Sequence, residues 1–301
     1  MAVPLVSVIL PAFNAERYVE RAVRSILAQT FRDFECIVID DGSTDATASI
    51  LDRLASTDSR LNVIHQPNAG LIATLNRGIE RATAPLVARM DADDIAHTDR
   101  LSRQVEYMNA HADVVLLGGA YRLIDEADRP IRTMRPPTED AELQRQCLAA
   151  TQPICHPLAM IRTGALRSAN GYDAACVAAE DLDLFLRLGE IGKLACLDGL
   201  PLLDYRMHEA SVSETKQALQ RENQRKAVQA AMTRRGIPGT FAPPEQWRAT
   251  TDDSRFHWTC TYGWWSLKEG YRSTARAFAR KAIRQKPFNK QGWALLAKSM
   301  K

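Results

Sequence analysis

Leu86-Val87-Ala88-Arg89-Met90-Asp91-Ala92-Asp93-Asp94 is a short apolar run that ends in three carboxylates within four positions. Read as a strand, its side chains alternate, so Asp91 and Asp93 share a face at the strand's mouth. Like charges this close repel unless a cation, a base or solvent relieves them. Oxygen-only ligation suits Mg2+ or Mn2+, held by one or two carboxylates together with substrate phosphates. The competing reading is a solvated acidic turn before a helix over residues 98–108, capped by Thr98 or Asp99. The neighbours of the stretch decide between the two.

Upstream, strand and helix alternate. Residues 6–10 are apolar and β-rich, and Pro11 ends them. Asn14 is placed to cap a helix whose Val19, Ala22, Val23, Ile26 and Leu27 keep helical spacing. Residues 34–39 form a second strand, ending in Asp40-Asp41-Gly42-Ser43, and Ser43 or Thr44 caps the helix of Ala48, Leu51 and Leu54. Residues 61–65 are a third strand, 66–70 a loop by composition, and 71–82 a helix before Pro85. Three strand–helix units in a row predict a mainly parallel sheet with right-handed crossovers, whose ligands sit beyond the carboxyl ends of the strands. Four polar loops then converge on one rim: 11–14, 40–43, 68–70 and 91–93.

Downstream, strands are expected over 113–118 and 120–124, a loop or hairpin over 125–140, a helix over 142–149 and a strand over 154–161. Glu180-Asp181 opens a helix with apolar Leu182, Phe185, Leu186 and Leu188, and the helix dipole favours an anion at Asp181. Short strands follow over 193–197 and 203–207. From Thr215 the chain turns basic, with helices expected to Arg235, through Phe256, Trp258, Tyr262, Trp264 and Trp265, over 273–285 and over 293–300.

Hydrophobic content of 46% and charged content of 25% suit a soluble globular protein. The N-terminal run lacks a basic region and is broken by Pro4 and Pro11, so it reads as a strand and not a signal peptide. No apolar stretch approaches the roughly 20 residues of a membrane-spanning helix. Six cysteines without a CxxC pair read as reduced, buried residues of an intracellular protein, and Cys155-His156 lacks the second cluster a zinc site needs. The net charge of +3 conceals an asymmetry: residues 215–301 carry 18 Lys and Arg against 5 Asp and Glu, so residues 1–214 are acidic.

These motifs, in this order and spacing, resemble family 2 glycosyltransferases. They are Val6 to Asn14, Gln29-Thr30-Phe31, Asp40 to Asp45, Asn68-Ala69-Gly70 with Asn76 and Gly78, and Met90 to Asp94. Gly171-Tyr172-Asp173, Glu180 to Leu184 and Tyr205 to Ser211 continue them. The resemblance covers about residues 3–214. It implies an α/β GT-A nucleotide-diphospho-sugar transferase fold with helices on both faces of the sheet. Residues 1–214 would be the catalytic domain, with about 1–95 binding the nucleotide and 96–214 the acceptor, and 215–301 a basic, aromatic helical extension.

It further implies an inverting transfer from a nucleotide-sugar, most often UDP-linked, to a saccharide or lipid-linked acceptor in cell-envelope or exopolysaccharide synthesis. Asp93 is then the first ligand of Mn2+ or Mg2+, with Asp91 and His208 as further candidates and Asp94 behind them. Asp181 is the catalytic base, supported by Glu180. Pro11, Phe13, Asn14, Glu16, Asp41, Asn68, Gly70, Asn76, Arg89, Asp91 and Ala92 are the donor-binding candidates. Among them Asp41 would accept from the uracil N3–H and Arg89 would offset carboxylate repulsion or meet a phosphate. Arg162 and His156 are expected on the acceptor side.

The basic tail suits docking on an anionic membrane at the inner face of a cytoplasmic location, a small helical pair, or a plain solvated cover. A homo-oligomer is compatible with it, whereas nucleic acid is excluded by the acidic body and the lack of a stacking motif. Two rivals remain: a catalytically silent nucleotide-sugar-binding or scaffold protein of the same fold, and a phosphohydrolase, which wants its Asp pair after the first strand.

Overall fold

The structure is a computed structural model that describes residues 3–207, 217–243 and 251–300. The chain divides into two compact units. The first comprises Met1–Tyr121, Arg135–Asp204 and Lys216–Pro244, and the second Arg122–Met134, Tyr205–Thr215 and Glu245–Lys301.

At the centre of the first unit is β1 (Val6–Ala12), buried along its whole length. It pairs in parallel with β2 (Phe34–Asp40) on one side and β4 (Leu86–Arg89) on the other, and β2 pairs in parallel with β3 (Leu61–His65). Helices α1 (Val19–Leu27), α2 (Thr47–Ala55) and α3 (Leu71–Arg81) make the crossovers. A Cβ on Gly78 would overlap Ile9 Cγ2, so only glycine lets α3 lie this close to β1. Pro11 lies inside β1 and does not end it. Pairing with β4 stops at Ile9 opposite Arg89, so the missing N–H faces the side where the partner strand has already turned away.

The sheet continues through β6 (Val114–Gly119), β9 (Met160–Arg162) and β10 (Lys193–Leu197) in the order β10-β6-β9-β4-β1-β2-β3. β9 runs antiparallel to both β4 and β6, which makes the sheet mainly parallel. The expected strand over 154–161 is interrupted by a 3-10 turn, His156–Leu158, around Pro157, and the pairing backbone begins only at Met160. Short β5 (Ile95–Ala96) pairs antiparallel with the start of β11 (Leu203–Arg206). Helices α4 (Arg100–Ala110), α5 (Asp140–Leu148), α6 (Thr163–Ser168) and α7 (Glu180–Leu188) complete this unit together with α8 (Gln217–Arg234). Six residues are too few to show a period, which is why α6 was not foreseen.

The extension expected over 215–301 is not one piece: the chain passes into the first unit at Lys216 and back to the second at Glu245. Ala227, Val228 and Ala231 of α8 share a buried cluster with Leu184, Leu186 and Leu188 of α7, and Arg235 donates to the Leu186 carbonyl at 2.7 Å. The first half of the basic extension is therefore part of the α/β unit.

The second unit holds strands β7 (Tyr121–Ile124, from Arg122 on) and β8 (Pro130–Met134), with helices α9 (Asp252–Lys268), α10 (Arg272–Gln285) and α11 (Lys290–Met300). Arg132 of β8 lies over the Trp265 ring of α9, 4.8 Å from its centroid. Phe256 and Cys260 of α9 bury against Ala282, and Leu295 of α11 against Ala275 and Ala279. No helix among the described residues is long and apolar enough to cross a membrane.

Candidate active site

The loops that follow β1, β2 and β3 are tied together by side chains. Asn14 has a left-handed backbone (φ 47°) and does not cap α1, which begins after Tyr18. Its Oδ1 accepts from the Thr44 N–H at 2.8 Å, while its own N–H donates to Ser43 Oγ at 3.0 Å. Glu16 makes the same kind of cross-loop stitch, its carboxylate accepting from the Ala46 N–H and its N–H donating to Asp45. Ser43 and Thr44 are likewise not caps, because α2 starts only at Thr47. These polar residues satisfy each other's loops, leaving Phe13 51% exposed on the rim.

Asp41 is buried and almost fully engaged. Oδ1 accepts from Gln66 Nε2 (2.7 Å) and the Ala69 N–H (2.8 Å), and Oδ2 from the Gly70 N–H (2.9 Å). Asn68 Nδ2 donates to the Asp41 carbonyl at 3.0 Å, and Arg77 holds Gln66 from behind at 2.6 Å. Asp41 thus shapes the 66–70 loop at the start of α3, and one lone-pair direction on Oδ2 remains for a ligand. Gly42 is required here: its φ is +74° and a Cβ would come 2.7 Å from the Asn68 nitrogen. Asn76 proves to be a brace. Its amide donates to the Tyr172 carbonyl and accepts from the Tyr172 N–H, both at 2.8 Å, so it fixes backbone where a donor contact was expected.

At the end of β4, Arg89 is buried and ion-paired with Asp91. Burial alone would lower its pKa, but the Asp91 charge and hydrogen bond, with the Tyr172 and Asp94 charges, together outweigh that and hold the guanidinium firmly protonated. Oxygens of Asp91, Asp93 and Asp94 all lie within 4.8 Å of one another, with Ala92 buried between the first two. An all-carboxylate set of this kind fits a hard divalent cation. A second such group, Asp173, Cys176 and Asp183, is less suited, because Asp183 is spent on Arg187 at 2.5 Å. Behind the loop stands Arg100, 0% exposed, donating to the Arg89 carbonyl at 2.6 Å and lying 3.4 Å from Met90 Sδ. Burial pushes its pKa down to about 10.

Across the site, α7 opens with Glu180 and Asp181. Desolvation raises both carboxyls above their ordinary range, their mutual repulsion adds to Glu180, and the charge of Arg89 partly offsets the rise. Asp181 Oδ1 accepts from Gln152 Nε2 and the Leu182 N–H, both at 2.7 Å, and no described residue bonds Oδ2. Gln152 and Ala178, on either side of this pair, both have left-handed backbones (φ 45° and 64°), a strain that the surrounding fold must hold in place. His156 Nε2 lies 2.7 Å from the Tyr172 hydroxyl, and burial keeps the imidazole neutral. Burial, then the Asp94 and Asp91 charges, drive the Cys155 thiol well above its usual pKa, so it is no nucleophile. Arg162 is structural, donating to the carbonyls of Val114, Met108 and His111. His208 lies outside the described residues.

Gln152, Arg100 and Gln66 were not foreseen, since each acts through side-chain contacts that no local pattern encodes. All six cysteines are free and buried.

Comparison with known proteins shows the family and the fold. A chondroitin synthase from Escherichia coli is 28% identical over 236 residues, 78% of this chain but only 34% of the synthase. Among solved structures, S. aureus TarS 1–349 in complex with UDP-GlcNAc aligns over 98% of this chain and 79% of its own, with a TM-score of 0.56 and 16% identity. The mannosyltransferase PcManGT from Pyrobaculum calidifontis, in complex with GDP-Man and Mn2+, aligns over 100% and 80%, with a TM-score of 0.54 and 20% identity. The fold is GT-A. The sequence profile of Glycosyl transferase family 2 matches residues 7–168, more than half of the chain, and the protein belongs to that family.

Proposed function

We propose that this protein is an inverting, divalent-cation-dependent hexosyltransferase that moves a sugar from a UDP-sugar to a saccharide or lipid-linked acceptor in cell-envelope or exopolysaccharide synthesis. One observation carries the reading: an all-oxygen acidic loop at the end of β4 shares its unit with a separate, buried carboxylate pair at the start of α7. A transferase needs both, one for the leaving diphosphate and one for the incoming hydroxyl.

Asp93 and Asp91 would hold the cation, Mn2+ or Mg2+, with Asp94 behind them. When bound, it supplies positive charge for the departing diphosphate. The protein's own groups do the rest. Asp41 offers its remaining Oδ2 lone pair to the base, and Phe13 and Asn14 line the base and ribose. Asp181, its Oδ1 held by Gln152 and Leu182, presents Oδ2 to the acceptor hydroxyl and takes its proton. The acceptor oxygen bonds to the anomeric carbon as the bond to the diphosphate breaks on the opposite face, which inverts the centre. Glu180, next to the base, keeps its environment poorly solvated and negative. A UDP donor and a polysaccharide setting agree with the names borne by TarS and the chondroitin synthase.

The test is a thermal-shift panel of UDP-, GDP- and dTDP-sugars with and without Mn2+, followed by proton NMR of the product's anomeric coupling. Stabilisation by one donor with metal, and an inverted product, is expected. No response to any donor would sink the reading. Donor binding without transfer to any acceptor would leave a silent donor-binding protein of the same fold.

A further inference from the structure

The second unit carries a charge pattern that sugar transfer does not explain. Residues 272–300 hold eight Lys and Arg and no Asp or Glu. On α10, Ala275, Ala279 and Ala282 are buried between the neighbouring helices, while Arg272, Arg276, Arg280 and Arg284 are exposed. Spaced four apart, these arginines occupy an arc of about 120° on one side of the helix. Among the described residues none of the four has a carboxylate partner, although Lys286 nearby is paired with Asp253. A merely solvated helix usually intersperses both signs, so four unpaired arginines in a row point to an external anion.

The apolar side chains around this stripe are also on the outside. The turn Pro287-Phe288-Asn289 follows the last arginine, and Phe288 is 101% exposed. Trp293 is 53% exposed and donates from Nε1 to the Pro287 carbonyl at 2.8 Å, which holds its ring beside the same turn. Met300 is exposed further along α11. A phenyl ring projecting wholly into water from a turn between Lys286 and Lys290 meets no partner in its own fold. Cations paired with protruding aromatic side chains suit a surface that is anionic at its face and apolar just beneath.

We propose that α10, the Pro287–Asn289 turn and the start of α11 form a docking face for an anionic phospholipid bilayer. Arg272, Arg276, Arg280 and Arg284 meet the headgroups, and Phe288 and Trp293 enter the boundary with the acyl chains. An anionic polysaccharide would satisfy the arginines but leave Phe288 in water, so the bilayer accounts for more of the surface. The docking needs neither donor nor acceptor, so its failure would leave the transferase reading untouched.

The experiment is co-sedimentation of the full chain with vesicles of phosphatidylcholine alone and with roughly a third phosphatidylglycerol. Binding is expected only with the anionic lipid and should weaken at high salt. The double variant Arg276→Gln/Arg280→Gln should lose about 10- to 30-fold in affinity, at roughly one near-surface charge's worth per arginine. Phe288→Ser should weaken binding while the circular-dichroism melt stays that of the parent chain, and Phe288→Leu should restore most of it. Equal binding to neutral vesicles, no binding to anionic ones, or variants that bind as the parent does would each overturn the proposal. So would tighter binding, per charge, to a soluble polyglucuronate, which would make the face a polymer site.

Discussion

Arg89 and Asp91 form an ion pair across a single intervening residue, at the point where β4 gives way to the acidic loop. The guanidinium is buried and stays charged, so it acts as a built-in counter-ion for one of the carboxylates that would bind metal. Cation and arginine would therefore compete for Asp91, whereas Asp93 is the first ligand proposed for the cation. Asp93→Ala should lower transfer by about 10²- to 10³-fold while leaving the melting temperature without metal close to that of the parent. Arg89→Met should do the reverse for binding. Its apo form should melt earlier, from unrelieved repulsion among Asp91, Asp93 and Asp94, and Mn2+ should raise its melting temperature by more than it raises the parent's. An equal Mn2+ shift in both proteins would show that Arg89 does not restrain the metal site.

The Glu180–Asp181 pair predicts a pH dependence with a definite sign. Burial favours their protonated forms in the folded state, so between the ordinary carboxylate range and the raised values the native chain binds more protons than the unfolded one. Stability from this pair is full below that window and is lost as pH rises through it. Glu180→Gln should flatten the fall in melting temperature between about pH 5 and 8. Activity moves the opposite way, because the base must be ionised, and its acid limb should titrate above the usual carboxylate range of about 4. Asp181→Asn should cost about 10²- to 10⁴-fold in kcat without weakening donor binding. A pH–rate profile whose limb sits at an ordinary carboxylate value would remove the desolvation argument.

The sequence carried the elements whose periodicity is local. β10 matches its expected range residue for residue, the strand-end positions of Asp41 and Asp91 followed from strand–helix alternation, and Asp181 lies in the first turn of its expected helix. What it could not carry were functions decided by distant partners. Asn14 has the chemistry of a cap, yet Thr44 claims its side chain from another loop. Asn76 sits in a family motif, but its amide is used on Tyr172, 96 positions away. Gln152 reaches Asp181 from a loop with no pattern, held by a backbone that only the folded surroundings impose. Composition saw the basic tail as one piece because charge does not report packing, whereas three buried residues of α8 join it to the α/β unit.

His65 links the rim beside Asp41 to pH in another way. Its Nδ1 lies 2.9 Å from Asp40 and its Nε2 3.0 Å from Asp52, so both contacts are satisfied only by the imidazolium. The hydrogen bond to Asp40, then that to Asp52, raises the His65 pKa. A raised histidine contributes stability that is full below its unfolded value of about 6.5 and is lost as pH rises through the folded one. His65 is partly exposed, so the effect on global stability is small. Asp40 adjoins Asp41, however, and donor affinity should fall as pH rises from about 6 to 8.5, with His65→Gln flattening the dependence. Isothermal titration of the donor across that range decides it, and a parallel fall in the variant would assign the effect elsewhere.

Arg100 places a charge deep in the α/β unit with no carboxylate bonded to it among the described residues, and the arrangement acts as a brace for the loop in front. Its guanidinium holds the Arg89 carbonyl, lies against Met90 sulfur and bonds Gln104, whose amide in turn donates to the Leu158 carbonyl. The residues braced are the two that precede Asp91. Arg100→Met keeps most of the volume but leaves the Arg89 and Gln104 oxygens without their donor, a loss of about 1–3 kcal/mol. It also removes a positive charge from near Asp94, which by itself would favour a bound cation, so a weaker grip on Mn2+ can come only from the lost brace. The expected result is a lower melting temperature together with a weaker grip on Mn2+, read by titrating the paramagnetic signal of the free ion. A purely structural role would lower the melting temperature and leave the Mn2+ titration of the folded variant unchanged. Arg100→Lys sharpens the distinction: it keeps the charge without the two-pronged contact, so an Mn2+ affinity that stays weak assigns the effect to the geometry of the brace.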